Sequence, residues 1–119
     1  MHVDRTTALQ KLIAYQLPIE PVLATLASFG WDAVTPLVTL STGEVVQVIE
    51  RFLSGKITSE QLTDWADLIE CREDIEVSKE SPNLAEVIFR LANPNLREPI
   101  TPVLVAEIRN TLLTERNAG

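Results

Sequence analysis

Three carboxylates at intervals of three residues, Asp64, Asp67 and Glu70, are the side chains of this sequence best spaced to do chemistry. On a helix they share one side, where a pair could serve as general acid and base or the set could hold a divalent cation. Neither reading finds its usual company. Di-iron bundles add Glu-x-x-His motifs, and EF-hand loops alternate Asp or Asn ligands around a central glycine; both patterns are absent. Nucleophilic catalysis with a histidine base has only His2 to draw on, in the terminal segment. Cys71 sits among acids that raise a thiol pKa and reads as a bystander. The four glycines form no phosphate-cradling loop. The expectation is a protein that is not an enzyme, with no cofactor and no metal site.

The carboxylates make better sense as charge. Residues 60–76 hold seven acids, Glu60, Asp64, Asp67, Glu70, Glu73, Asp74 and Glu76, against the single base Arg72. They supply six of the net seven negative charges, and the rest of the chain is nearly neutral. Such a balance opposes nucleic acid and anionic membrane, which attract proteins chiefly through Lys and Arg, and suits a basic protein partner. In Arg72-Glu73-Asp74-Ile75, Arg72 could present a planar donor fork to that partner. It could also compensate a helix C-terminus or pair with a nearby carboxylate, and this structural role is the favoured one. The expected protein-binding set is Glu60, Asp64, Asp67, Glu70, Arg72 and Asp74.

Helices must position these residues, and their start and stop signals are most complete between Leu40 and Arg72. Ser41 and Glu44 form a capping box, Leu40 and Val45 a hydrophobic staple, and Val45, Val48, Ile49, Phe52 and Leu53 one apolar stripe ending at Gly55. Thr58 with Gln61 and Ile57 with Leu62 repeat that start at once, so two successive helices are expected to fold back on each other. In the second, Leu62, Trp65, Ala66 and Ile69 fall on one side and Glu60, Asp64, Asp67 and Glu70 on the other. A following helix-turn-helix reading would send four acids toward phosphate, which argues against DNA.

Ser81-Pro82 and Thr101-Pro102 each read as an N-cap followed by a first-turn proline. The first of these helices runs through Leu84, Val87, Ile88, Leu91 and Ala92 to Pro94; the second turns Leu104, Val105, Ile108 and Leu112 inward. Upstream, Leu9, Leu12 and Ile13 suit a helix ending near Pro18, and Val22, Leu23, Leu26 and Ala27 one ending at Gly30. Thr35 to Leu40 suits a turn or short extended piece, and residues 73–80 and 93–100 suit loops. Trp31 and Trp65 read as core anchors.

No stretch alternates with period two, so the expected class is all-α: one compact domain over residues 1–119, of about five to six short helices with angled packing. A length of 119 residues with 45% hydrophobic content supports one core. One cysteine rules out an intrachain disulfide, and no basic leader or run of about 20 apolar residues is present, so a cytoplasmic location is expected.

In order along the chain, Phe29-Gly30-Trp31-Asp32, Leu37-Val38-Thr39-Leu40, Arg51-Phe52-Leu53-Ser54-Gly55, Trp65-Ala66, Ile69-Glu70, Arg72-Glu73-Asp74-Ile75 and Leu91-Ala92-Asn93-Pro94 resemble a group of small uncharacterised bacterial all-α proteins. That resemblance implies a bacterial cytosolic helical protein. Ile49, Phe52, Leu53, Gly55, Ile57 and Leu62 also resemble the colicin D type of immunity protein, small acidic helical inhibitors of tRNA-cleaving toxins. The leading expectation is therefore a protein-binding module, immunity-like, with an acidic helix face for a basic partner. The alternative is an assembly protein forming a homodimer through the helix at 102–114, apolar at Val103, Leu104, Val105, Ala106, Ile108, Leu112 and Leu113.

Overall fold

The computed structural model describes residues 4–29, 35–79, 81–94 and 99–118, with side chains as far as Thr114. Trp31, Gly30 and residues 95–98 of the stretch expected as a loop at 93–100 lie outside these residues, as does His2. Six helices follow in order: α1 (Arg5–Ile13), α2 (Glu20–Ala27), α3 (Thr42–Leu53), α4 (Ser59–Glu70), α5 (Leu84–Ala92) and α6 (Pro102–Ala118). Two three-residue strands, β1 (Val38–Leu40) and β2 (Ile75–Val77), add the only extended pairing among the described residues. The domain is all-α, and its radius of gyration of 14.0 Å is near the roughly 13.5 Å expected of one globule this long.

At α3, α4 and α6 the caps form where the sequence places them. At α3 the Glu44 carboxylate accepts both the backbone N–H and the hydroxyl of Ser41, each at 2.8 Å. At α4 the exchange is reciprocal: Gln61 N–H donates to Thr58 Oγ1 at 3.1 Å, and Thr58 N–H to Gln61 Oε1 at 2.9 Å. Thr101 caps α6 by accepting from Leu104 N–H at 3.2 Å. Gly55 ends α3 at φ +82°, with its N–H on the Phe52 carbonyl and that of Lys56 on the Arg51 carbonyl, a left-handed C-cap.

Four features differ from the expected pattern. Helix α1 stops at Ile13, short of Pro18, because Tyr15 enters the left-handed region at φ 50° and closes the same double cap: Tyr15 N–H on the Leu12 carbonyl, Gln16 N–H on that of Lys11. Helix α5 starts at Leu84, two residues past the Ser-Pro signal; Ser81 is buried, and Pro82 and Asn83 form a turn. The loop expected at 73–80 contains β2, which pairs in parallel with β1 in the register Val38↔Ile75 and Leu40↔Val77. Parallel strands need a long crossover, and α3 with α4 provides it. Finally, α3 and α4 meet, yet each makes its larger contact elsewhere: α4 on α5, α3 on α6.

One hydrophobic cluster joins all eight elements. Trp65 is fully buried at its centre, as expected, and its Nε1–H donates to the Leu12 carbonyl at 2.9 Å. The Tyr15 ring packs against it at 6.5 Å between centroids. Arg51 lies 5.6 Å over that same ring and donates from Nη1 to the Tyr15 carbonyl at 2.8 Å. The exposed end of α1 is thereby capped by side chains of α3 and α4, which fixes α4 against the rest of the fold.

Candidate protein-binding surface

Helix α4 is amphipathic in the way its sequence requires. Leu62, Trp65, Ala66 and Ile69 are buried; Glu60, Asp64, Asp67 and Glu70 are all exposed. At 1.5 Å per residue the four carboxylates span about 15 Å of helix, with Asp64, Asp67 and Glu70 at steps of about 4.5 Å. Among the described residues no base bridges any of the four; Glu70 accepts only a 3.3 Å hydrogen bond from Asn93 Nδ2. Such a row can accept hydrogen bonds from Lys or Arg side chains repeating at one helical turn on a partner.

The C-terminal part of the row stands where its own helix disfavours it, whereas Glu60 lies in the favoured first turn. Asp67 and Glu70 occupy the last turn, where the negative end of the helix dipole faces them, and that turn has no basic residue. Glu60 with Asp64, Asp64 with Asp67, and Asp67 with Glu70 are like-charge neighbours at four or three residues. Together these terms oppose the C-terminal half of the helix.

The other two expected members turn inward. Asp74 is fully buried, and its carboxylate is clamped by two arginines. Arg72 donates from Nε to Oδ1 and from Nη2 to Oδ2, both at 2.9 Å; Arg5 reaches Oδ2 from Nε at 3.0 Å and Nη2 at 2.9 Å. Burial pushes the Asp74 carboxyl up, but the two guanidinium groups outweigh it and hold the pKa below the usual 3.8. The Asp74 carbonyl also accepts the N–H groups of Leu37 at 2.9 Å and Val38 at 3.3 Å, so the clamp ties α1 and the end of α4 to the entry of the sheet. Asp74 therefore cannot belong to an exposed acidic face, and Arg72, 6% exposed, serves the structural role. Cys71 is exposed beside the row; burial first, then Asp67 and Glu70, raise its thiol pKa.

Elsewhere the described residues offer little chemistry. No three of their acidic, histidine or cysteine side chains converge as metal ligands, and none of their helices is long and apolar enough to cross a membrane. The apolar width of α6 goes largely into the core: Leu104, Val105, Ile108 and Leu112 are buried, Ala106 and Leu113 half-buried, and only Val103 stands out, at 71% exposure. Sequence reading missed the Arg5 partner of Asp74, 69 positions away, and a groove beside Arg109; neither leaves a local signal. Compared with protein-family models, curated proteins and solved structures, the chain matches none.

Proposed function

We propose that the chain is a non-enzymatic protein-binding module whose α4 face, Glu60, Asp64, Asp67 and Glu70, engages a basic protein partner in the manner of an immunity-type inhibitor. One observation carries the reading. The carboxylates continue in a row to the C-terminal end of α4, where Asp67 and Glu70 stand against the helix dipole and their neighbours' repulsion, whereas the buried acid of the same segment, Asp74, is neutralised by two arginines. A face built only for solubility would gain from alternating signs, as i and i+4 Glu and Lys pairs do. An anionic row of this kind speeds encounter and sets register more than it adds affinity, and its effect fades as salt rises.

The test uses two baits on the same cell extract, the native chain and Asp64→Asn/Asp67→Asn/Glu70→Gln. The native bait retains a protein of basic surface at low salt and releases it at high salt. The neutralised bait retains much less of it, yet unfolds at a higher temperature than the native chain. Equal capture by both baits would remove the reading. A homodimer through α6 would have Val103 as its one exposed large apolar residue among those described.

A further inference from the structure

The C-terminal end of α3 and the middle of α6 form an open groove of about 570 Å³, and its polar lining is Gln47, Glu50, Arg51, Ser54, Lys56 and Arg109. Three cations face one carboxylate there, in a chain whose net charge is −7. Arg109 Nε is buried without a hydrogen-bond partner, the only such side-chain atom among the described residues. A buried donor left unmatched is unfavourable where it stands, so the Arg109 guanidinium gains by turning to an acceptor that enters the groove. The backbone at the end of α3 places the other two cations. Arg51 lines the groove with Nη1 on the Ala14 and Tyr15 carbonyls, and Ser54 Oγ donates back to the Arg51 carbonyl. Lys56 is set at the rim by Gly55, its own N–H held on the Arg51 carbonyl at 2.8 Å.

We propose that this groove binds a phosphomonoester dianion carried on a small organic molecule. The local balance is two positive charges, which a dianion matches and a single carboxylate does not. Guanidinium forks suit phosphate oxygens because two parallel N–H groups meet two oxygens at once. The volume falls within the roughly 300–1,000 Å³ of small-molecule pockets, and Glu50 and Gln47 supply acceptors for hydroxyls of the organic part. A long polyanion is excluded by the chain's overall charge, whereas one phosphate feels only charges within a Debye length of about 8 Å. This site is independent of the α4 face.

The experiment is a titration of the full chain, followed by backbone amide shifts, with inorganic phosphate, glucose 6-phosphate and glucose at constant ionic strength. Both phosphates saturate a site that shifts residues 51–56 and Arg109, the sugar phosphate binds several-fold tighter, and glucose does nothing. Arg109→Gln and Lys56→Gln each weaken binding roughly tenfold, about 1.4 kcal/mol; Lys56 is exposed, so its variant keeps the fold. Absence of saturation at millimolar phosphate, or binding unchanged in both variants, would overturn the site. Inorganic phosphate bound as tightly as the sugar phosphate would overturn the organic carrier.

Discussion

Replacing Asp74 by Asn keeps the shape of the clamp and removes its charge. The carboxylate is fully buried and accepts four charge-assisted hydrogen bonds from Arg5 and Arg72. Arg72 is 6% exposed, so the substitution removes the charge of Asp74 from beside a buried cation; Arg5, at 20%, can turn partly to water. Breaking a buried pair by removing one partner costs about 3–5 kcal/mol, and the partial escape of Arg5 places Asp74→Asn near the lower end, about 3 kcal/mol. For 119 residues a loss of 1 kcal/mol lowers the midpoint by about 4 °C, so thermal unfolding should come roughly 12 °C earlier. The pH dependence gives a second check. The folded carboxyl titrates below 3.8, so the unfolded chain takes up the proton first as pH falls. The stabilisation is complete above about pH 4–5 and fades as pH drops through the folded value. Denaturant unfolding of native and variant chains at pH 7 and pH 3 measures both terms. A loss below 1 kcal/mol at pH 7, or a difference that does not shrink at pH 3, would refute the clamp.

Two further substitutions probe what fixes α4. Gly55→Ala meets no atom within 4 Å, yet at φ +82° it should still destabilise by about 1 kcal/mol, read as a lower urea midpoint with unchanged slope. Trp65→Phe takes the indole N–H from the Leu12 carbonyl, which keeps that of Tyr15, and leaves a small cavity; a loss of about 1–2 kcal/mol is expected, and faster hydrogen exchange at the end of α1 would locate it.

What could be read from the sequence was local. Ser41 with Glu44 and Thr58 with Gln61 lie three residues apart, and the two-sided pattern of α4 repeats within twelve, so caps, core face and acidic row followed from spacing alone. Strand β2 did not, because three residues are too few to show a period of two, and its pairing depends on a partner beyond two helices. The end of α1 was hidden by its residue type: the left-handed position is held by Tyr15, whose ring packs on Trp65, where glycine is the usual signal. Asp74 looked like six other acids of its segment. Only the fold, by bringing Arg5 across 69 positions, separated the buried carboxylate from the exposed ones. The groove at Arg109 was hidden for the same reason, since Arg51, Lys56 and Arg109 come together only when α3 packs on α6.

The central claim is that Glu60, Asp64, Asp67 and Glu70 form a working surface. Its most direct test is the association rate of the captured partner with the native chain and with the neutralised α4 variant, measured from low to high salt. The account predicts a native rate that falls steeply with salt and a variant rate at least tenfold slower at low salt, the two converging at high salt. Equal rates for the two chains, or a native rate indifferent to salt, would contradict it.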